Sequence, residues 1–168
     1  YIAVSDTLTF AAGETSKTIT ITVLNDAVFE DPEAFSVDIS NAATGTTDLS
    51  ITDSSGAGAI VDDDQPTVAI ADGSPSPALE GTDGTITFEV TLTNAADQAV
   101  TVDYATADGT ATAGIDYVTT SGPLTFAAGT TTQPVTVTVN GDTVDEVDET
   151  FFVNLANPAN APLSDGPG

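Results

Sequence analysis

The segment TFAAGETSKTITITVLND at residues 9–26 returns as TFAAGTTTQPVTVTVNGD at residues 125–142, displaced by 116 positions. The match runs without gaps from Tyr1 on Tyr117 to Asn41 on Asn157, and 19 of these 41 pairs are identical. Chance does not sustain an ungapped agreement of that length, so the chain holds two copies of one module. The copies are incomplete in opposite ways. Residues 1–64 read as the later half of a module. Residues 65–168 read as a nearly complete one that lacks a counterpart of GAGAIVDDD (56–64). Gln65-Pro66 marks the junction, because proline cannot donate to a central β-ladder. The expectation is a window on a longer tandem array.

The hydrophobic period within the copies is two. In GTITFEVTLT (84–93), Ile86, Phe88, Val90 and Leu92 alternate with Thr85, Thr87, Glu89 and Thr91. Val100, Val102 and Tyr104 follow the same rule, as do Val135, Val137 and Val139, and then Phe151, Val153 and Leu155. Alternation of β-branched and polar residues between short turns predicts antiparallel strands with one buried face. No stretch carries a helical period. About seven short strands in a module of this size predict an all-β, two-sheet sandwich.

Composition prunes the chemistry. With no His and no Cys there is no conventional nucleophilic triad, no thiolate, and no zinc or copper site of the usual kind. Disulfides are excluded, and cysteine content says nothing of compartment. One Lys or Arg stands against 26 Asp and Glu, a formal net charge of −25. Such a field repels nucleic acid and anionic membranes, so neither is expected as a partner. No apolar run is long enough to insert as a membrane helix. The same charge destabilises a compact state unless salt screens it or cations neutralise it.

The acidity is concentrated. GDTVDEVDETFFVNL (141–155) places Asp142, Asp145, Glu146, Asp148 and Glu149 within eight positions, immediately before an alternating strand. A solvated acidic loop is one reading. A site for a hard cation is the other, since calcium takes six to eight oxygen ligands, including carboxylates and backbone carbonyls. No DxDxDG loop and no glycine-rich nonapeptide repeat is present, so neither an EF-hand nor a calcium β-roll is expected.

Four segments, in order, resemble the Calx-beta domain family: DYATADGTATAGIDY (103–117), the following LTFAAG with its TVTV strand, the acidic GDTVDEVDETF, and the module-ending AGAIVDDD. The resemblance spans essentially the entire chain. It implies an immunoglobulin-like β-sandwich, in a family that serves both as calcium-sensing regions of sodium–calcium exchangers and as tandem arrays in large bacterial surface proteins. It also implies calcium as cofactor, held at one end of the sandwich. The positions that match are Glu80, Asp108, Asp142, Glu146 and Glu149, with the Val144 carbonyl placed between them. In the first copy they are Asp26, Glu30 and Glu33, the Val28 carbonyl, and the triplet Asp62, Asp63 and Asp64. Neither copy carries every ligand.

The expected function is a non-enzymatic, calcium-binding structural or adhesive repeat of an extracellular or cell-surface protein, stiffened by calcium at module ends and junctions. The alternative is a subunit of an extracellular filament or matrix, in which incomplete modules complete one another by strand addition. The partners are neighbouring Calx-beta modules, in the same chain or in adjacent subunits.

Overall fold

The computed structural model describes residues 1–79, 84–143 and 145–164. Its elements are β1 (Val28–Phe29), β2 (Glu33–Asp38), β3 (Ala43–Thr44), β4 (Thr47–Asp48), β5 (Ser55–Ile60), β6 (Val68–Ile70), β7 (Thr85–Leu92), β8 (Ala95–Ala96), β9 (Val100–Asp108), β10 (Ser121–Phe126), β11 (Thr132–Thr138) and β12 (Phe151–Ala159). No helix occurs among the described residues. The fold is the all-β one that the alternation predicts.

The chain divides into two compact units, one of Tyr1–Ala27 with Pro32–Val61 and one of Val28–Asp31 with Asp62–Gly168. The second unit is a sandwich of two three-stranded sheets, ordered β10–β9–β12 and β11–β7–β6. All four ladders within these sheets are antiparallel. Val68, Val90, Leu92 and Val135 from one sheet meet Val100, Val102 and Phe126 from the other in a single buried cluster. Each of these side chains contributes about 1.5–3 kcal/mol when it leaves water. The intervening Thr85, Glu89 and Asp103 stay exposed, as a period of two requires. Pro123 and Pro134 lie in β10 and β11, the outer strands of their sheets, where a missing N–H can face solvent.

A smaller cluster of Ala111, Tyr117 and Val137 closes one end of the sandwich. There the Tyr117 ring stacks on Phe151 at 4.5 Å between centroids, and Phe88 meets Phe151 edge-on at 5.9 Å. Such aromatic pairs add about 0.5–1.5 kcal/mol beyond the area they bury.

Residues 28–31 belong to the second unit although their repeat counterparts are the acidic loop at 144–147. Val28 and Phe29 pair in parallel with Ala95 and Ala96, and the Asp97 amide donates to the Phe29 carbonyl at 2.9 Å. The Gln98 side-chain amide donates to the Asp31 carboxylate. Phe29 occupies the position matched by Asp145, and its ring packs on the main core. An aromatic residue at that point gains by burial what a carboxylate would lose.

In the first unit, β2 and β5 form an antiparallel pair and β3 and β4 a short hairpin. The Tyr1 ring stacks on Phe35 at 4.9 Å. The repeat persists in backbone conformation: Gly13 and its match Gly129 have φ of 84° and 77°, and Asn41 and its match Asn157 have φ of 56° and 49°. These left-handed positions suit Gly and Asn. Residues 5–10 and 16–22, which match β10 and β11, nevertheless carry no strand. Their counterparts pair with β9 and β7, whose own matches have no place in the 168 residues. A strand without a neighbour does not persist on propensity alone.

Candidate metal centre

At the end of the second unit closed by Tyr117, β9 terminates at Asp108 and the chain turns through 109–117 toward β10. Asp116 is fixed within this turn. Its carboxylate accepts the Thr112 amide at 2.7 Å, and its carbonyl accepts the Asn140 amide at 2.9 Å. The Asn140 side chain also donates to the Ile115 carbonyl at 2.9 Å. Gly114, at φ 84°, makes the bend without a Cβ penalty. The turn is thereby clamped to the residue that precedes the acidic loop.

The far end of that loop is held from the same side. The Ala111 amide donates to the Thr150 carbonyl at 2.9 Å, and the Thr150 amide donates to Thr110 Oγ1 at 2.9 Å. A Cβ added to Gly109 would stand 2.4 Å from the Thr150 carbonyl oxygen, so only glycine lets the two segments approach so closely.

Between these clamps, Asp116, Glu146 and Glu149 each bring a carboxylate oxygen to within 4.8 Å of the other two. Asp116 is half-buried and the glutamates are exposed. Three hard anionic oxygens, with neither sulfur nor imidazole nearby, fit a calcium-type cation and suit no softer metal.

Of the sequence-predicted ligands, Glu146 and Glu149 lie in this trio. Asp108 sits in the same turn, but its Oδ1 accepts the Tyr117 hydroxyl at 2.5 Å and the Ala113 amide at 2.9 Å. That hydrogen bond to a carboxylate, together with burial, pushes the Tyr117 hydroxyl above its ordinary pKa. Asp108 thus braces the turn that carries Asp116. Asp142 is exposed in the loop and is not part of the trio. Glu80 and Val144 lie outside the described residues.

In the first copy, Asp26 and Glu33 belong to the first unit, whereas Val28, Glu30, Asp62, Asp63 and Asp64 belong to the second. Val28 enters the parallel pairing with Ala95. Asp62 turns back to accept the Asp64 amide at 2.9 Å, and the Asp64 carbonyl accepts Asn94 at 3.1 Å.

Asp116 is the residue that sequence reasoning missed. The self-match begins at Tyr1 on Tyr117, one position too late to give Asp116 a counterpart. The available signal was its place in GIDY, within the segment that carries the family resemblance.

Comparison with known proteins agrees with this architecture. The Calx-beta domain family model matches residues 1–74 and again 62–164. The sodium/calcium exchanger Calx of Drosophila melanogaster is 40% identical over 74 residues, covering 43% of this chain and 8% of that protein. Sodium/calcium exchanger 1 of Rattus norvegicus is 29% identical over 174 residues, covering 95% of this chain and 18% of the exchanger. The chain thus spans less than a fifth of these relatives. Among solved structures, the apo form of the Calx CBD1 domain is similar, with a TM-score of 0.51 and 29% identity over 60% of this chain and 88% of that domain. No helix among the described residues is long and apolar enough to cross a membrane.

Proposed function

The chain belongs to the Calx-beta domain family, and from that premise we propose that it is a non-enzymatic module that binds calcium to rigidify a tandem array at an extracellular surface. The observation that carries this reading is the convergence of Asp116, Glu146 and Glu149 within 4.8 Å, on loops clamped to a packed sandwich. Charges held this close repel unless an ion lies between them. Calcium bound to the three carboxylates would join the turn before β10 to the loop before β12, and water or backbone carbonyls would fill its remaining positions. The net charge of −25 fits a setting in which divalent cations are plentiful. Absence of His and Cys supports a binding role over a catalytic one.

The experiment is thermal unfolding in calcium, in chelator, and in sodium chloride at matched ionic strength. A ligand at a hundredfold excess over its dissociation constant stabilises the folded state by about 2.7 kcal/mol. For a chain of this size that corresponds to a melting rise of roughly 5–11 °C. Equal protection by sodium would replace the calcium site with general screening of an acidic surface.

A second reading, assembly by strand addition between modules, is favoured by one observation. Among the described residues β12 pairs only with β9 and forms the margin of its sheet.

A further inference from the structure

We propose that Asn140-Gly141 is a self-modification site, where water converts the asparagine into aspartate and isoaspartate and so adds a carboxylate against the turn that carries Asp116. The reaction stands apart from the calcium reading; only its rate in calcium, and its effect on the ion, rest on that reading.

The chemistry asks three things of the residue that follows an asparagine. Its amide nitrogen must reach the side-chain Cγ, no Cβ should shield that nitrogen, and no hydrogen bond should hold it. Of the seven asparagines, only Asn140 precedes a glycine. Asn157 precedes Pro158, which has no N–H to lose, and the other five precede residues that carry a side chain. Among the described residues no hydrogen bond holds the Gly141 amide, and Gly141 is exposed to water. The pair Asp108-Gly109 offers a contrast. There Asp108 Oδ1 accepts two hydrogen bonds, and Gly109 is pressed against the Thr150 carbonyl.

The step balances with water alone. The Gly141 nitrogen gives its proton to solvent and attacks Asn140 Cγ. The N–Cγ bond forms, the Cγ–Nδ2 bond breaks, and Nδ2 leaves as ammonia with a proton taken back from water. Hydrolysis then opens the cyclic imide. Breaking the new N–Cγ bond gives aspartate, whereas breaking the bond from that nitrogen to the Asn140 carbonyl carbon gives isoaspartate. The net change consumes one water and releases one ammonia, with no oxidant or reductant.

The fold governs the rate, because the leaving nitrogen is itself part of the clamp. Asn140 Nδ2 donates to the Ile115 carbonyl and the Asn140 amide to the Asp116 carbonyl, both at 2.9 Å. Turning the side chain toward Gly141 breaks the first bond and loosens the second. The folded chain should therefore react roughly thirtyfold more slowly than the unfolded one. An open clamp also frees Asp116 from Glu146 and Glu149, so calcium at ten times its dissociation constant should slow the reaction about tenfold further. The product unfastens the same turn. Aspartate at 140 presents an acceptor to the Ile115 carbonyl in place of a donor, and isoaspartate also lengthens the main chain ahead of Asp142. Calcium affinity should fall about fivefold, the worth of one such bond. The matching residues in the first copy are Leu24-Asn25, so the change marks one copy alone.

The test incubates the native chain at mildly alkaline pH in calcium, in chelator, and unfolded in urea. Peptide mapping by mass spectrometry follows the change from amide to acid at each asparagine, and enzymatic methylation scores isoaspartate. Asn140 should convert ahead of every other asparagine, fastest in urea, more slowly in chelator and most slowly in calcium. Gly141→Ala should suppress the conversion in urea and in the folded chain alike. Conversion at Asn140 no faster than at Asn25 or Asn41 would overturn the site. Equal rates in urea and chelator would overturn control by the clamp. Equal rates in calcium and chelator, from a chain that titrates calcium by calorimetry, would overturn the coupling to the ion, as would converted chain that binds calcium as tightly as fresh chain. A chain that takes up no calcium in that titration overturns the calcium reading instead, and the urea and chelator arms then judge the modification by themselves.

Discussion

Asp116→Asn should move stability in opposite directions with and without calcium. The substitution keeps an oxygen that can accept the Thr112 amide, so the turn is preserved and a charge alone is lost. The three carboxylate oxygens lie within 4.8 Å of one another, so each pair repels by about 0.9 kcal/mol even at the dielectric constant of water. Physiological salt, with a screening length of about 8 Å, reduces this to about 0.5 kcal/mol. Asp116 takes part in two of the three pairs. Its neutralisation should therefore stabilise the metal-free protein by about 1 kcal/mol, a melting rise of roughly 2–4 °C. For calcium the sign reverses. A unit charge at about 2.4 Å from a divalent ion is worth about 3.5 kcal/mol in bulk water, of which the amide oxygen retains part. Affinity should fall at least tenfold, about 1.4 kcal/mol. Melting curves of native chain and D116N, each in chelator and in millimolar calcium, should therefore cross, and calorimetric titration should show the weaker binding. Superimposable curves in chelator together with unchanged affinity would refute the trio as an electrostatic unit.

Two further predictions concern neighbouring residues. Glu146→Gln and Glu149→Gln should each weaken calcium binding at least tenfold in the same titration, because neutral amides are poorer calcium ligands, whereas Asp145→Asn and Asp148→Asn, in the same loop but outside the trio, should change it less than threefold. Tyr117→Phe removes the hydroxyl that donates to Asp108 and should destabilise the chain by about 1.5–3 kcal/mol in denaturant titration at neutral pH, as loss of a bond to a charged acceptor does. The Tyr117 pKa is raised in the folded state, so its contribution is complete below the unfolded tyrosine value of about 10 and declines as pH rises through the higher folded value; Y117F in chelator should lose that part of the alkaline decline, and parallel pH profiles of the two proteins would refute the linkage.

The second unit was legible because its signals are local. Ile86, Phe88, Val90 and Leu92 announce both a strand and its inward face, and β7 spans Thr85–Leu92. The same alternation in TITITV (18–23) misleads, since pairing is non-local and these residues carry no strand, the Thr22 carbonyl accepting only the Ile2 amide among the backbone bonds described. Glu146 and Glu149 were legible as a cluster with carboxylates in the pattern of a known family. Asp116 was not, because its role arises from a turn closed by Thr112 and Asn140, contacts that no linear spacing encodes. Val28 was not legible in its pairing with Ala95 either. Its repeat position suggests a loop carbonyl, but Phe29 beside it supplies an apolar anchor, and burial takes the segment to β8.

The site and the end core of the second unit are mechanically one object. Asp116 is bonded directly to Tyr117, Glu149 lies two residues before Phe151, and the rings of Tyr117 and Phe151 stack at 4.5 Å beneath the carboxylates. Drawing Asp116 and Glu149 onto a common ion therefore pulls on the backbones whose side chains already close the sandwich. Without the ion, repulsion between the same carboxylates works against that stack, opposed by the Tyr117–Asp108 and Ala111–Thr150 hydrogen bonds. The bond to the charged Asp108 is worth about 1.5–3 kcal/mol, and the amide bond and the aromatic stack about 1 kcal/mol each, so together they exceed the roughly 1 kcal/mol of repulsion derived for Asp116. The end of the module therefore stays closed without the ion, and occupancy removes the repulsion that loads it. An ion need supply only a few kcal/mol to turn a braced but strained end into a rigid one, and a tandem array passes load through its module ends.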